Sequence, residues 1–354
     1  MTLDDIQPYV AGVLAQDRRL LSKTITLIES SLTAHKKMAR LVVDELLPHT
    51  GKAIRLGITG VPGAGKSTFI EALGTMLVRE GFSVAVLAVD PSSVRGGGSL
   101  LADKTRMEQL SIEEKAFIRP SPSGGTLGGI ASKTRETVLL CEAAGFDVVI
   151  VETLGSGQSE VAVASMVDFF LMLMISGAGD DLQGMKKGVL ELVDAVAVNK
   201  ADGDNIRKAE FARKQCEVAL HFSTPSSPNW FPPVLTCSAR ESTGIREIWG
   251  TVLEHRKKLL STGELEIKRK QQALDWMRFL IKEGLDEWFY KNPHVRKMIP
   301  KLEKEVEGGM TAPTTAADKL LLLLADDLIK DNPSAINDNV FAQGDRAVRG
   351  RCGC

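Results

Sequence analysis

A glycine-rich segment with a lysine and a serine at fixed spacing is the first candidate for chemistry in this chain. Gly60-Val-Pro-Gly-Ala-Gly-Lys-Ser67 follows an apolar run and precedes a helical pattern, and its GxxxxGKS spacing is typical of phosphate-binding loops. In such loops backbone N–H groups surround the phosphates, the lysine contacts the β- and γ-phosphates, and the hydroxyl binds magnesium. The segment predicts a nucleotide site, with Lys66 also acting in catalysis. The predicted phosphate-binding residues are Gly60, Val61, Pro62, Gly63, Ala64, Gly65, Lys66, Ser67 and Thr68.

A second motif, Asn199-Lys-Ala-Asp202, comes directly after the apolar run 195–198 and is expected to bind the base of the nucleotide. A carboxylate in this place accepts hydrogen bonds from N1–H and the exocyclic amine of guanine, a donor pair that adenine lacks. Adenine would leave the carboxylate unpaired, so the motif predicts GTP and GDP as ligands. Main-chain amides at the end of the next predicted strand are expected to support the base. The predicted base-binding residues are Asn199, Lys200, Asp202, Ser238, Ala239 and Arg240.

Three acidic residues lie where they could bind magnesium. Asp90 and Glu152 each follow an apolar run that we interpret as a buried strand, and Asp103 lies in a glycine-rich stretch between them. Magnesium prefers a few hard oxygen ligands and completes its octahedron with phosphate and water. Glu152 has the position of the strand-end carboxylate that contacts the metal in P-loop proteins. The sequence predicts a Mg²⁺ site formed by Ser67, Asp90, Asp103 and Glu152.

Glycine-rich loops near these acids predict segments that rearrange when the γ-phosphate leaves. Gly155, three residues after Glu152, is expected to contact the γ-phosphate through its N–H group. Either Gln158 or Lys186 is expected to orient the attacking water or neutralise charge, and the sequence does not choose between them. The predicted catalytic residues are Lys66, Glu152, Gln158 and Lys186.

Short apolar runs separated by helix-length stretches fill the middle of the chain, and these elements must position the residues above. Runs that are apolar on both faces and alternate with helices are typical of parallel strands in a doubly wound α/β sheet. Ligands bind such sheets at the carboxyl ends of the strands, which is where both motifs fall. The predicted strands are 54–59, 84–89, 117–119, 148–151, 169–175, 195–198 and 234–236.

The pattern divides the chain into four segments. Apolar positions at helical spacing flank the central region on both sides, and a shorter helix is expected between Pro293 and Pro300. The end of the chain lacks periodicity and is expected to be disordered. The predicted segments are an N-terminal helical segment 1–50, a nucleotide-binding domain 51–260, a C-terminal helical segment 261–332 and a tail 333–354.

The composition argues against several other classes of protein. The 354 residues carry 44 Lys and Arg against 45 Asp and Glu, a net charge of −1, so no overall field attracts nucleic acid or an anionic membrane. No apolar run reaches the ~18 residues that a membrane span needs. Five scattered cysteines do not form a disulfide framework. We expect no nucleic-acid partner and a cytoplasmic location, or the mitochondrial matrix if a eukaryotic transit peptide precedes this sequence.

Taken together and in order, the segments VPGAGKSTFIEALG, VVIVETLGSGQSE, GDDLQGMKKG and VNKADGDN resemble the MeaB/MMAA family of P-loop GTPases, also catalogued as ArgK. The resemblance covers about residues 10–330. It implies the signal-recognition and MinD-like class of P-loop fold, GTP hydrolysis that is slow alone and stimulated by a partner, and homodimers formed through the C-terminal helices. It also implies a chaperone of adenosylcobalamin-dependent methylmalonyl-CoA mutase that gates cofactor loading and protects or reactivates the mutase.

Two other classes of P-loop protein are alternatives. A metallochaperone GTPase usually has a Cys/His cluster near the nucleotide, whereas Cys141, Cys216 and Cys237 lie far apart in the sequence. A P-loop kinase or transport ATPase is less favoured, because the motif at 199–202 indicates guanine.

Overall fold

One parallel sheet forms the centre of the fold. The structure is a computed structural model that describes residues 5–89, 107–120, 127–153, 159–177, 187–222 and 227–331. Within this part of the chain, seven strands pair side by side, which confirms the predicted α/β fold. The strands are β1 (Ile54–Gly60), β2 (Val84–Val89), β3 (Ala116–Pro120), β4 (Val148–Thr153), β5 (Phe169–Ile175), β6 (Ala195–Asn199) and β7 (Val234–Thr236).

The strand order is β3-β2-β4-β1-β5-β6-β7, and every neighbouring pair is parallel. The chain runs from β1 outward to β2 and β3, returns to insert β4 beside β1, and then adds β5 to β7 on the other side. The order therefore reverses next to β1, which is where ligands bind in open parallel sheets. The register pairs Ile58 with Glu152 and Ile175 with Asn199, so Glu152 and Asn199 lie along one edge of the sheet.

Helices surround the strands, as expected where parallel strands are joined by crossover connections. Short 3₁₀ turns at Leu47–His49 and Gly203–Asn205 supplement them. The helices are α1 (Gln7–Leu14), α2 (Arg18–Glu29), α3 (Thr33–Leu46), α4 (Lys66–Arg79), α5 (Glu108–Ser111), α6 (Leu127–Ala143), α7 (Ser159–Ala164), α8 (Lys187–Leu190), α9 (Ile206–His221), α10 (Ile245–Ser261), α11 (Glu264–Lys291), α12 (Pro293–Glu307) and α13 (Pro313–Asp331).

Two apolar cores form because the strands are apolar on both faces. Successive side chains of a strand point to opposite faces of a sheet. Phe170 of β5 accordingly packs in one cluster with Val42 of α3, and Leu171 packs in the other with Phe69 of α4 and Trp249 of α10. Helix α4 is therefore fixed against the sheet directly after the segment that the sequence predicts to bind phosphate.

The chain separates into two compact units, Met1–Gln272 and Ala273–Cys354, with the boundary inside α11. The first unit contains the sheet with α1 to α10 and the beginning of α11. The second contains the rest of α11 together with α12 and α13, and the last two helices contact each other. The division of the chain into the four segments stays a prediction, and its tail lies outside the described residues.

The predicted helix boundary at Pro300 is wrong, because α12 continues through this residue. The helix begins after Asn292, whose side chain accepts hydrogen bonds from the first N–H groups of the helix. A proline within a helix removes one backbone hydrogen bond. Val295 and Leu302 are 0% and 4% exposed on either side of it, so burial of apolar surface offsets the lost hydrogen bond.

A buried ion pair joins the amino ends of the central strands to α11. Asp168, which precedes β5, accepts hydrogen bonds from Nη2 and Nε of Arg269 at 2.6 and 2.8 Å. The same carboxylate accepts the backbone N–H of Arg55 in β1 at 3.0 Å. Arg269 also donates to the carbonyl oxygen of Ala53 at 2.8 Å. One pair of side chains thus connects β1, β5 and α11.

This pairing makes the charged form of Asp168 the stable one. Burial by itself raises the pKa of the carboxyl, but hydrogen bonds and charge from Arg269, with a contribution from Arg55, hold the pKa below its ordinary value. A carboxyl whose pKa is lower in the folded state stabilises the fold above its unfolded pKa of about 3.9. That contribution is lost as the pH falls through the folded-state pKa.

We predict that Asp168→Asn lowers the free energy of unfolding at pH 7 by about 3 kcal/mol, because it leaves the largely buried Arg269 charge without its partner. Urea unfolding followed by circular dichroism measures this at pH 7 and at pH 3, where the difference from the parent protein should shrink. The control is Asp275→Asn, which removes an exposed pair with Arg278 and should leave the midpoint unchanged. Equal midpoints for Asp168→Asn and the parent protein at pH 7 would contradict the prediction.

Candidate nucleotide-binding site

The phosphate loop connects the end of β1 to the start of α4 and turns at three glycines. Gly60, Gly63 and Gly65 have φ angles of +149°, +80° and +86°, in the region that favours glycine. A Cβ atom at Gly65 would lie 2.8 Å from Nδ2 of Asn199, and one at Gly60 would lie 2.2 Å from the carbonyl oxygen of Leu173. A side chain at either position would push the loop away from the neighbouring strands.

Lys66 is the first residue of α4, and its side chain folds back over the loop. Its Nζ donates hydrogen bonds to the carbonyl oxygens of Gly60 at 2.8 Å and of Val61 at 3.4 Å. Burial lowers the pKa of Lys66 below its ordinary value, and the charges of Glu152 and Glu160 partly oppose this effect. A desolvated ammonium group gains free energy from an added negative charge, so this environment favours phosphate binding.

Ser67 and Glu152 meet at the predicted metal site. The Ser67 hydroxyl donates a hydrogen bond of 3.1 Å to Oε1 of Glu152, and both residues line a cavity of about 410 Å³ together with the phosphate loop and Thr68. A hydroxyl and a carboxylate are hard oxygen ligands of the kind that Mg²⁺ prefers, and their spacing would let one ion contact both. The residues present therefore fit magnesium.

Asn199 fastens the phosphate loop to the segment after β7. Its Nδ2 donates to the carbonyl oxygen of Ala64 at 2.8 Å, and its Oδ1 accepts the backbone N–H of Ala239 at 3.0 Å. The Ser238 N–H donates to the carbonyl oxygen of Thr243. The two amides that were expected to support the base thus have partners inside the protein, and Asn199 positions both loops.

Asp202 faces the same segment and is held by a side chain from it. The Ser238 hydroxyl donates to Oδ2 of Asp202 at 2.5 Å. Lys200 turns the backbone with a φ of +62°, and its carbonyl oxygen accepts a hydrogen bond from Asn205 at 2.6 Å. The carboxylate is therefore oriented before any base arrives. Arg240 follows Ala239 and is exposed.

The structure also brings two polar features to this site that the sequence interpretation missed. Glu160 in α7 is 4% exposed, and its charge acts on Lys66. The Thr153 hydroxyl donates to the Thr59 hydroxyl at 2.8 Å in a buried contact between β4 and β1. Glu160 is the last residue of the segment VVIVETLGSGQSE, so its place after Gln158 was the available signal. Nothing in the spacing of the threonines predicted their pairing.

Several predicted residues lie outside the described part of the chain. They comprise two of the magnesium ligands, the glycine expected at the γ-phosphate and both candidates for orienting water. These residues are Asp90, Asp103, Gly155, Gln158 and Lys186.

No other metal centre is formed by the described residues, in which no group of three or more His, Cys, Asp or Glu side chains is placed to hold an ion. Burial raises the pKa of Cys216 to about 11 and that of Cys237 to about 12, with a smaller contribution from Glu217 for Cys216. These pKa values suppress the thiolate form that binds metals. Among the described helices, none is long and apolar enough to cross a membrane.

A parallel sheet whose central strand leads into this phosphate loop, with Asn199 and Asp202 at the end of β6, defines a P-loop nucleotide-binding protein. A family model described as Methylmalonyl Co-A mutase-associated GTPase MeaB matches residues 21–294. The chain therefore belongs to the MeaB family, and it is a GTPase that binds guanine nucleotides and hydrolyses GTP.

Similar proteins agree with this assignment. The Escherichia coli GTPase ArgK is 47% identical over 304 residues, which cover 86% of this chain and 92% of that protein. The mitochondrial methylmalonic aciduria type A homolog of Mus musculus is 44% identical, covering 88% of this chain and 77% of that protein. A crystal structure described as LAO/AO transport system kinase has a TM-score of 0.75 and 38% identity, covering 92% of this chain and 99% of that chain. These similarities confirm the family that the motifs indicated.

We predict that Asp202→Asn lowers GTP affinity about tenfold or more, because the amide replaces one of the acceptors that guanine requires by a donor. Affinity for xanthosine triphosphate should rise, since xanthine presents a carbonyl where guanine has its amine. Competition titrations against a labelled guanine nucleotide measure both changes. The control is Asp204→Asn, an exposed position two residues away. Unchanged GTP affinity in Asp202→Asn would refute the assignment of this carboxylate to the base.

Proposed function

We propose that this GTPase is a chaperone of an adenosylcobalamin-dependent methylmalonyl-CoA mutase, where it gates cofactor loading and protects or reactivates the mutase. The description of the family as mutase-associated supports this client, as does the name of the mouse relative. The protein then works where its client does, in the cytoplasm of a bacterium or in the mitochondrial matrix of a eukaryote.

The hydrogen bond between Ser67 and Glu152 is the observation that best supports a nucleotide switch. It joins the start of α4 to the end of β4 at 3.1 Å. If Ser67 and Glu152 held Mg²⁺, their oxygens would no longer be free to pair with each other, so loading the nucleotide would change what holds the end of β4. Residues 154–158 follow directly in the sequence, and they include Gly155, which is expected at the γ-phosphate, and Gln158, one of the two candidates for orienting water. We expect a partner that contacts this part of the chain to distinguish the loaded from the empty protein.

For hydrolysis we propose that Ser67 and Glu152 hold Mg²⁺ together with Asp90 and Asp103. The ion, when bound, neutralises charge on the phosphates. Lys66 contacts the β- and γ-phosphates, since its buried ammonium group lies over the loop. Gly155 donates its N–H to the γ-phosphate, and Gln158 or Lys186 orients the attacking water.

We predict that GTP turnover by the purified protein rises several-fold when a methylmalonyl-CoA mutase from the same organism is added. The physical reason is that a partner can position the glycine-rich loops next to the γ-phosphate, so that the catalytic site is complete only in the complex. Phosphate release measures the rate with and without the mutase. Lys66→Ala should reduce both rates about 100-fold, because it removes a charge that stabilises the transition state. An unchanged rate in the presence of the mutase, with GTP still preferred over ATP, would reject this client and leave the GTPase assignment intact.

We further propose that the protein is a homodimer formed through its C-terminal helices. In the second unit, α11 carries an apolar stripe at intervals of three and four residues, which places its members on one helical face. Each of these side chains is at least 42% exposed, and an unbroken exposed apolar surface of this kind is typical of an interface. The stripe consists of Leu274, Met277, Ile281, Leu285 and Trp288.

We predict that Ile281→Asp converts the dimer to a monomer, because a carboxylate in the middle of the apolar stripe cannot be buried without a partner. Light scattering coupled to size-exclusion chromatography gives the mass directly. The control is Glu283→Asp, a conservative change at an exposed position of α11 outside the stripe. A dimer that persists in Ile281→Asp at micromolar concentration would show that the stripe is not the interface.

A further inference from the structure

A second cavity of about 690 Å³ lies along α4, and we call it the α4 groove. Thr68 lines both this groove and the phosphate-binding cavity, so the two are adjacent. The groove continues along α4 to Glu80, and its opposite wall is formed by Arg240, Ser242 and the start of α10. This volume extends well beyond the residues assigned to GTP.

The groove opens where the ribose of the nucleotide lies. This placement rests on the proposed function, in which the 5′-phosphates bind the phosphate loop and the base binds Asp202. Thr68, at the phosphate end, and Ala239, at the base end, both line the groove. A ribose that connects the two ends must pass the mouth of the groove, so a substituent on its hydroxyls would enter it.

The charges in the groove favour an anion. Three arginines and two glutamates line it. Glu80 pairs with Arg246 at 2.6 Å, and the Glu71 carboxylate accepts the backbone N–H of Gln109 at 2.8 Å. Among the described residues, neither Arg79 nor Arg240 has a carboxylate within ion-pair distance. Within the described residues these two guanidinium groups therefore have no acidic partner, and a guanidinium group binds phosphate bidentately.

A buried hydroxyl on the groove wall also lacks a partner. Thr75 lines the groove and is 6% exposed, and its Oγ1 makes no hydrogen bond to any described residue. Buried hydroxyls are normally satisfied, and threonine within a helix usually bonds to a carbonyl of the preceding turn. The oxygen itself has almost no accessible surface, but threonine in a helix uses two χ1 rotamers, so a turn of the side chain toward a bound phosphate would satisfy this hydroxyl.

We propose that the α4 groove binds a phosphate or pyrophosphate carried on the ribose of a guanine nucleotide whose 5′-phosphates occupy the phosphate loop. From Thr68 to Arg79 the helix rises about 16 Å, a distance that a ribose-linked pyrophosphate and an extended arginine side chain bridge between them. A nucleotide with a 5′-diphosphate has no γ-phosphate to transfer to water. It therefore competes with GTP and holds the GTPase in an inactive state.

The experiment titrates the full-length protein with GDP and, separately, with guanosine 5′-diphosphate 3′-diphosphate, and measures both affinities by calorimetry in a buffer that contains Mg²⁺. The 3′-diphosphate should bind at least fivefold more tightly than GDP, and this advantage should shrink as salt is raised. Arg79→Gln should remove most of the advantage and leave GDP affinity within twofold of the parent value. Arg246→Gln is a second variant with the same expected direction, because it leaves the Glu80 carboxylate in the groove without its partner and this charge repels the added phosphates. Arg278→Gln, an exposed arginine of the second unit, is the matched control and should change neither affinity.

Three results would overturn the proposal. One is equal affinity for the two nucleotides, and another is an advantage that survives in both groove variants. The third is binding of inorganic pyrophosphate to the GDP-loaded protein as tightly as the 3′-diphosphate nucleotide binds to the empty protein, which would make the groove a site for free anions. If the parent protein did not bind GDP, the proposed nucleotide site itself would be contradicted. Failure of the groove proposal and failure of the nucleotide site are therefore distinguishable.

Discussion

The hydrogen bonds of one side chain, Asn199, determine the distance between the two halves of the nucleotide site. Its amide nitrogen holds Ala64 in the phosphate loop, and its amide oxygen holds Ala239 in the loop after β7. An amide supplies a donor and an acceptor on two separate atoms of one side-chain end, so aspartate or leucine would release one loop or both. The contact also explains Gly65, since a Cβ there would lie 2.8 Å from the Asn199 nitrogen. A guanine nucleotide can bridge the two loops because this residue holds both in place.

Around that frame, the polar groups of the site make contacts that a nucleotide must replace or extend. Lys66 donates to loop carbonyls, and Ser67 donates to Glu152. Such contacts give buried polar groups hydrogen-bond partners, and they lower the free-energy cost of burying these groups when no ligand is bound. They are also weaker than the ionic contacts that a phosphate offers in the same place. Binding of the nucleotide therefore exchanges hydrogen bonds within the protein for contacts with the ligand.

Much of this could be predicted from the sequence because short patterns carry it. The seven apolar runs predicted the strands, and the two motifs fell at strand ends where a parallel sheet places its ligands. The expected roles of the Ser238 and Ala239 amides did not take account of their partners, the Thr243 carbonyl and Asn199, because such hydrogen bonds leave no mark on local spacing. The end of a helix at Pro300 was inferred from backbone chemistry alone, and burial of Val295 and Leu302 outweighed it. Glu160 and the Thr59–Thr153 contact depend on which strands are neighbours, and only the fold determines that.

Buried charges are paired within the protein at the amino edge of the sheet, whereas at the carboxyl edge the charge of Lys66 is only partly compensated. At the amino edge Asp168 is neutralised by Arg269, and Arg55 is paired with Glu142 at 2.6 Å, so these charges stabilise the fold and need no ligand. At the carboxyl edge Lys66 is buried over carbonyl oxygens, and its pKa is lowered because desolvation outweighs the nearby carboxylates. An ammonium group in that condition is stabilised most by an anion that brings its own charge into the site. At the amino edge these buried charges are neutralised within the protein, so the fold is stable without a ligand. At the carboxyl edge the charge of Lys66 is left for the nucleotide to neutralise, so binding gains a large free energy.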